Sequence, residues 1–323
     1  MVVRRGVRTA GGRGVSGALL GVDVGGTKVA LRLERGPLVL REGFRWPGDG
    51  DPRADLDLLG RAVADLAGRA GAPLDGVGIA FPGTVDGGVV TAWPSRPGWV
   101  GVDLAGFLGG LAAPVLVADD GDLAALAEAR AHGCADLVYA GVGTGVGGGV
   151  VSGGLPFPGP ERGSCELGHV VVALDGPPCP CGRAGCVQAF ASGPAVLAEA
   201  ARLGGAPVTG EDLVRALGDG RGWARAAVER GARALAAALV GVGELARPSL
   251  CVVGGGFAAA VPGYVDAVAD RCAALARPGH PTAPVRPALL GGLSSLRGAV
   301  HAAGLARDGG QSTRSSSARA ANR

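Results

Sequence analysis

The stretch Ala18-Leu19-Leu20-Gly21-Val22-Asp23-Val24-Gly25-Gly26-Thr27-Lys28-Val29-Ala30-Leu31-Arg32-Leu33 is an apolar run, a tight Gly turn and a second apolar run. Two such runs joined by a Gly turn read as a β-hairpin. The theme returns about 120 residues later, and a repeat of that kind suggests two related domains. There Leu137-Val138-Tyr139-Ala140 leads into Gly143-Thr144-Gly145-Val146-Gly147-Gly148-Gly149 and then Val150-Val151. Neither turn is a Walker loop, which needs Gly-x4-Gly-Lys-Ser/Thr. Neither is a dinucleotide fingerprint, because both lead into strands rather than into a phosphate-binding helix.

Working outward, Leu56, Leu59, Val63 and Leu66 have helical spacing over 55–70. Gly76–Phe81 reads as a buried strand ended by Pro82-Gly83. Val115–Ala118 is another strand; it runs into Asp119-Asp120-Gly121-Asp122 and a helix from Leu123 to Ala131. Residues 193–204, 210–217 and 223–246 read as helices. Leu250–Val253 reads as a strand ending in Gly254-Gly255-Gly256, and 261–276 and 294–306 as two more helices. Strands alternating with helices give an α/β fold. The expected organisation is a small domain over 18–118, joined by a returning helix at 294–306, and a large domain over 119–293. The ends, 1–17 and 307–323, are rich in Gly, Ser, Arg and Ala and are expected to be flexible tails.

Several clusters carry chemistry. In Asp23–Lys28, glycines permit close backbone approach and successive N–H groups form an anion-binding concavity. Lys28 is the only lysine in the chain. An ordinary hairpin with an exposed Lys gives the same pattern, and the echo at Gly143–Gly149 is what favours phosphate binding. Gly254–Gly256 suits either a nucleotide lying against backbone or a plain helix-entry turn. Cys179-Pro180-Cys181-Gly182-Arg183-Ala184-Gly185-Cys186 puts three thiols in one tight loop, and His169 lies ten residues earlier. Three thiolates and an imidazole make a closed tetrahedral zinc site, structural rather than catalytic. The remaining cysteines, Cys134, Cys165, Cys251 and Cys272, read as core or surface thiols.

The totals exclude several classes. Of 323 residues 47% are hydrophobic and the net charge is +3, so the chain is not disordered by composition. Its basic residues are scattered rather than gathered in the stripe of a nucleic-acid binder. No apolar run reaches the length that spans a bilayer, and no signal-peptide core follows the N-terminal arginines. A cytoplasmic protein is expected, with its 7 cysteines as thiols or metal ligands rather than disulfides.

The two Gly turns resemble the phosphate motifs of the actin and hexokinase superfamily, and residues 18–306 resemble the ROK family (repressors, open reading frames, kinases). Phe81-Pro82-Gly83-Thr84-Val85-Asp86 is similar to that family's sugar-facing turn. Pro94-Ser95-Arg96-Pro97-Gly98-Trp99 is similar to its Pro-Asn-Leu-x-Gly-Trp segment. Glu166-Leu167-Gly168-His169 with the Cys loop is similar to its most specific signature. The resemblance implies two ribonuclease H-like α/β domains around a cleft, and transfer of phosphate from ATP to the 6-hydroxyl of a hexose. ATP phosphates would lie between Asp23, Gly25, Gly26, Thr27, Lys28 and Gly143, Thr144, Gly145, with adenosine near Gly254, Gly255 and Gly256 and Mg2+ held toward Asp23. Asp120 aligns with the catalytic Asp of Asn-Asp-Ala-Asn. Gly83, Thr84, Ser95, Asp119, Glu166, His169 and Gln188 align with positions that face the sugar, and zinc would fix the loop carrying Glu166, His169 and Gln188. Homodimers are common in the family. A helix-turn-helix regulator is not expected, because about 17 residues before the first strand are too few for such a module.

Three departures bear on the substrate. Asp119 stands where the family has Asn, Gln188 where it has Glu, and Ser95 where it has Asn. Adjacent carboxylates at Asp119 and Asp120 repel unless a cation offsets them. An amino-hexose, best kanosamine (3-amino-3-deoxyglucose), supplies that cation and would suit a biosynthetic pathway such as that of an antibiotic. Glucose and N-acetylmannosamine are the alternatives within the family, and a sugar-sensing regulator without catalysis is the alternative outside enzymes.

Overall fold

The structure is a computed structural model that describes residues 17–320 apart from 49, 111–112 and 160–161, with backbone alone over 310–320. The N-terminal tail expected over 1–17 thus falls almost wholly outside the described residues.

The opening stretch is a hairpin: β1 (Ala18–Val24) and β2 (Lys28–Arg35) pair antiparallel, with Val24 opposite Val29. β3 (Leu38–Arg45) extends the hairpin. Next comes α1 (Pro52–Ala70), capped by the Asp51 side chain at one end and by a left-handed Gly71 at the other. β4 (Leu74–Phe81) lies parallel to β1. A small hairpin of β5 (Thr84–Asp86) and β6 (Val89–Ala92), then α2 (Leu104–Gly109), lead to β7 (Val115–Asp119), parallel to β4. The first sheet therefore runs β3-β2-β1-β4-β7.

After α3 (Asp120–His132) the same order recurs. β8 (Leu137–Val142), β9 (Val146–Ser152) and β10 (Leu155–Phe157) form an antiparallel meander. Helices α4 (Gln188–Ala191), α5 (Gly193–Gly204), α6 (Gly210–Gly218) and α7 (Gly222–Ala246) precede β11 (Leu250–Gly254), which is parallel to β8. Next come α8 (Gly256–Ala260), α9 (Tyr264–Ala274), β12 (Val285–Pro287) and α10 (Ser294–Ala320). The second sheet, β10-β9-β8-β11-β12, repeats the first strand for strand. The α/β architecture with a duplicated hairpin is thus what the chain forms.

Three expectations change in detail. The helix expected from Leu123 starts at Asp120, because the Asp119 side chain caps it. The helix expected over 261–276 is shortened to α9 (Tyr264–Ala274), which starts after Pro262 and a left-handed Gly263 (φ 75°). The helix expected over 294–306 continues to Ala320, across residues expected to be tail; no proline stops it there.

Each sheet has its own core, the first around Leu20, Ile79 and Trp99, the second around Val138, Leu235 and Tyr264. A third core joins them: Ala80 and Ala118 from the first sheet, Leu137 and Val252 from the second, Leu123 and Leu126 of α3, and Ala299 and Ala302 of α10. The helices α3 and α10 approach closely at Gly298, where a Cβ would overlap the Leu123 carbonyl oxygen. This seam sets the two sheets side by side.

Candidate active site

Parallel strands end at one edge of a sheet, and ligands of α/β proteins gather outside those carboxyl ends. Here Asp23 of β1 is opposite Ala80 of β4, and Phe81 of β4 is opposite Asp119 of β7. The register therefore brings Asp23, the Pro82-Gly83-Thr84 turn and Asp119-Asp120 to one edge. Asp119 Oδ1 accepts from the amides of Gly121 (2.9 Å) and Asp122 (3.4 Å), which fixes the start of α3. Its other oxygen takes no part in that cap. Asp120 is the first helical residue. Asp122, in the first turn of α3, is 2% exposed, and its Oδ1 has no partner among the described residues. Asp119 and Asp122 line one small cavity of about 20 Å³ with Gly83, Thr84 and Ser164.

These carboxylates crowd one another in a poorly solvated place. Burial, then the neighbouring Asp120 and Asp122, push Asp119 up to about 8. Burial raises Asp122 to about 7, with Glu166 and Asp120 adding to it and the Cys165 amide opposing it. Burial and Asp120 lift Asp23 to about 6, against a hydrogen bond from Ser295 Oγ at 3.4 Å. Asp120 is raised too, by burial and then Glu166. When ionised, these carboxylates repel one another, and a cation placed among them would relieve that repulsion.

The glycine turns flank it. Gly25–Lys28 connects β1 to β2, and the Ser95 side chain sits beside Gly26, where a Cβ would come 3.0 Å from Ser95 Oγ. Gly143–Gly145 connects β8 to β9; the Gly143 amide donates to Gly145 O, and the Gly193 amide at the start of α5 donates to Gly143 O. Gly254 pairs with Gly141, and Gly255 has φ 89° with no room for a Cβ against Val142. Gly254–Gly256 therefore stands next to the second turn, and Gly255 leads into α8.

The donor atoms of His169, Cys179, Cys181 and Cys186 all lie within 4.8 Å of one another. Cys181 Sγ is 3.7 Å from Cys186 Sγ, and Cys179 Sγ is 3.7 Å from His169 Nδ1. A tetrahedron with zinc–sulfur bonds near 2.3 Å has sulfur–sulfur edges of about 3.8 Å, so the donor set fits zinc. The Arg183 amide, with help from the neighbouring thiols, holds Cys181 at about 6, whereas burial pushes Cys186 up to about 11.

Gln188 Nε2 donates to Cys179 Sγ (3.4 Å) and its Oε1 accepts from the Val146 amide (3.4 Å), so it ties the thiol loop to the second glycine turn. An amide can donate to a thiolate, where a carboxylate would repel it. Glu166 is exposed and accepts from Ser164 Oγ (2.7 Å), three residues from His169.

Four residues of the site were not singled out in the sequence. Asp122 was legible as a third carboxylate in the Asp119–Asp122 run. Ser295, Arg96 and Asp55 carry no local signal, because only the fold brings them to Asp23 or to the first turn.

Comparison with known proteins agrees with this geometry. The ROK family profile matches residues 19–306. The chain is 55% identical over 295 residues to a kanosamine kinase of Amycolatopsis mediterranei (strain S699), covering 90% of this chain and 97% of the relative. Its structure superposes on the ROK hexokinase of Thermus thermophilus with a TM-score of 0.80 at 33% identity, over 89% of this chain and 98% of that one. A ROK family glucokinase from Streptomyces griseus, in complex with glucose and AMPPNP, superposes with a TM-score of 0.70 at 29% identity, over 90% of this chain and 100% of that one. Repeated sheets, paired glycine turns, a three-Cys, one-His loop and a profile match across nearly the whole described chain lead to one assignment: the protein belongs to the ROK family.

Proposed function

We propose that the protein is an ATP-dependent kinase of an amino-hexose, kanosamine, acting on the 6-hydroxyl. The carrying observation is the pair of carboxylates, half-buried Asp119 and buried Asp122, around one small cavity beside Asp120. A neutral sugar leaves both without compensation. An ammonium group on the sugar satisfies them with charge-assisted hydrogen bonds. The high identity to a kanosamine kinase supports the same reading.

In this reading Gly83, Thr84, Ser95, Glu166 and His169 surround the sugar, with the amine toward Asp119. Asp120 orients the 6-hydroxyl and takes its proton as that oxygen bonds to the γ-phosphorus and the bond to the ADP oxygen breaks. The amides of Gly25–Lys28 and Gly143–Gly145 hold the phosphates, and Gly254–Gly256 leaves room for adenosine. When bound near Asp23, Mg2+ supplies neutralisation of phosphate charge. His169, Cys179, Cys181 and Cys186 would hold zinc with protein donors alone, and the ion would fix the loop that carries Glu166 and Gln188 rather than take part in the transfer. The domains divide at 118/119, with α10 returning to the first. Closure between them would exclude water from the transfer. Among the described residues no helix is long and apolar enough to cross a membrane.

The test is Mg-ATP turnover with kanosamine, glucose and N-acetylmannosamine side by side. Kanosamine is expected to have the highest kcat/KM. Asp119→Asn, which keeps the cap acceptor, is expected to shift the kanosamine-to-glucose ratio toward glucose by about tenfold or more, as loss of a hydrogen bond to a charged group implies. Higher kcat/KM for glucose in the wild type, with no change of the ratio in Asp119→Asn, would overturn the amine reading and leave a glucokinase.

A further inference from the structure

The first glycine turn is held from behind. Trp46 Nε1 donates to Gly25 O (2.7 Å), Arg96 Nε donates to Gly26 O (3.2 Å), and the Trp46 amide donates to Thr27 O (3.2 Å). Three consecutive carbonyls are therefore drawn toward Trp46 and Arg96. A trans peptide is planar, and its C=O and N–H point in opposite directions. The amides of Gly26, Thr27 and Lys28 must then point away from the donors that hold the carbonyls of Gly25, Gly26 and Thr27.

Arg96 is itself pinned. Its Nη1 is ion-paired with Asp55 of α1, its Nη2 donates to Pro47 O (3.4 Å), and its guanidinium lies 5.1 Å from the centre of the Trp46 ring. Asp55 is fully buried, and its Oδ2 also accepts from Trp99 Nε1 (2.9 Å). Arg96 and Trp99 belong to the segment 94–99, whose Ser95 touches Gly26. One guanidinium therefore joins α1, the 94–99 segment and the turn.

We infer that Arg96, held by Asp55, is a positioning residue for the nucleotide: it sets the peptide planes of Gly25–Lys28 so that their amides face the phosphates of ATP. This rests on the reading of Gly25–Lys28 as the phosphate turn. A guanidinium is suited to the task because its fork can serve a carboxylate and two carbonyls at once, which an ammonium at the same place cannot.

The experiment separates positioning from mere support. Arg96→Lys keeps the positive charge beside Asp55 but gives up the fork. Its melting temperature is expected to stay near that of wild type, while KM for ATP rises about tenfold and KM for the sugar changes less than twofold, the loss expected of a charged hydrogen bond. Arg96→Met is expected to show the same rise in KM for ATP together with a lower melting temperature. Wild-type KM for ATP in Arg96→Lys would overturn the proposal, as would equal rises for ATP and sugar. If Arg96→Met does not fold, Arg96→Lys alone decides. Backbone amide NMR of the wild type with Mg-AMPPNP tests the underlying reading: shifts at Gly26, Thr27 and Lys28 are expected. If those amides do not respond, the phosphate-turn reading fails and the proposal with it. If they respond while Arg96→Lys binds ATP normally, only the role of Arg96 fails.

Discussion

One carboxylate oxygen of Asp119 starts α3, and the other takes no part in that cap. That division gives a pH prediction with a defined sign. The folded, ligand-free protein holds Asp119 at about 8, above its ordinary 3.8. The folded state thus binds this proton more tightly than the unfolded state, so the stability linked to it is full below about pH 4 and is lost as pH rises toward 8. Asp119→Asn removes the titration and keeps the cap. The melting temperature of the variant minus that of wild type should therefore grow between pH 5 and 8, measured without sugar. A difference independent of pH would mean that Asp119 is ionised in the free protein. In the proposed function Asp120 takes the hydroxyl proton. Asp120→Asn would keep the shape without that acceptor, and kcat should fall by about 10²–10⁴ with sugar affinity little changed, read by single-turnover kinetics and calorimetry. The carboxylate run was legible in the sequence, and so was its conflict of charge. Which oxygen caps the helix, and that Asp122 joins Asp119 at one cavity, depended on where β7 hands over to α3. The contacts of Gln188 were hidden for the same kind of reason: only the folded thiol loop turns its amide toward Cys179 and Val146.

At the scale of elements, the two hairpins with their glycine turns were visible because periodicity and turn chemistry are local. β3, β10 and β12 were not, since their outward faces leave little apolar pattern; β3 is exposed at alternate positions and β12 has only three residues. The helix C-terminal to β12 shows what local pattern cannot supply. Glu128 on α3 is fully buried; it accepts from the amides of Leu289 (2.9 Å) and Leu290 (3.0 Å) and from Ser294 Oγ (2.8 Å), thereby anchoring the start of α10. Nothing local in the sequence says what Glu128 anchors. Glu128→Gln places an NH2 group against one of those donors. Leaving a buried donor unpaired costs about 1–3 kcal/mol, so urea unfolding should show a lower midpoint by that margin, with α10 losing protection from hydrogen exchange before β1 and β4. An unchanged midpoint would mean that water replaces the lost acceptor.

Across the whole molecule, two copies of one sheet plan are held side by side by a seam of small residues. β4 gives Gly76 and Gly78 to α10, where a Cβ on either would overlap the carbonyls of Ala303 and Ala299. Gly298 of α10 in turn faces Leu123 of α3. In the proposed two-domain reading, a seam of backbone against backbone would let α3 and α10 slide by small amounts without unlocking large side chains, the shear mode of domain closure. Gly298→Ala tests this. In an open helix face the change would stabilise, since Ala is the better helix former by about 1 kcal/mol. Here the added methyl must push Leu123 away, and overpacking of that kind costs about 1–3 kcal/mol. Because Leu123 follows the Asp119–Asp122 run by one residue, the displacement reaches the carboxylate edge. Gly298→Ala should therefore lower the melting temperature and also raise KM for the sugar, while the small-angle scattering radius on adding sugar and AMPPNP contracts less than in wild type. If the variant is instead stabilised and contracts normally, α3 and α10 are not in the close contact that joins the two sheets, and the coupling of the seam to the site is wrong.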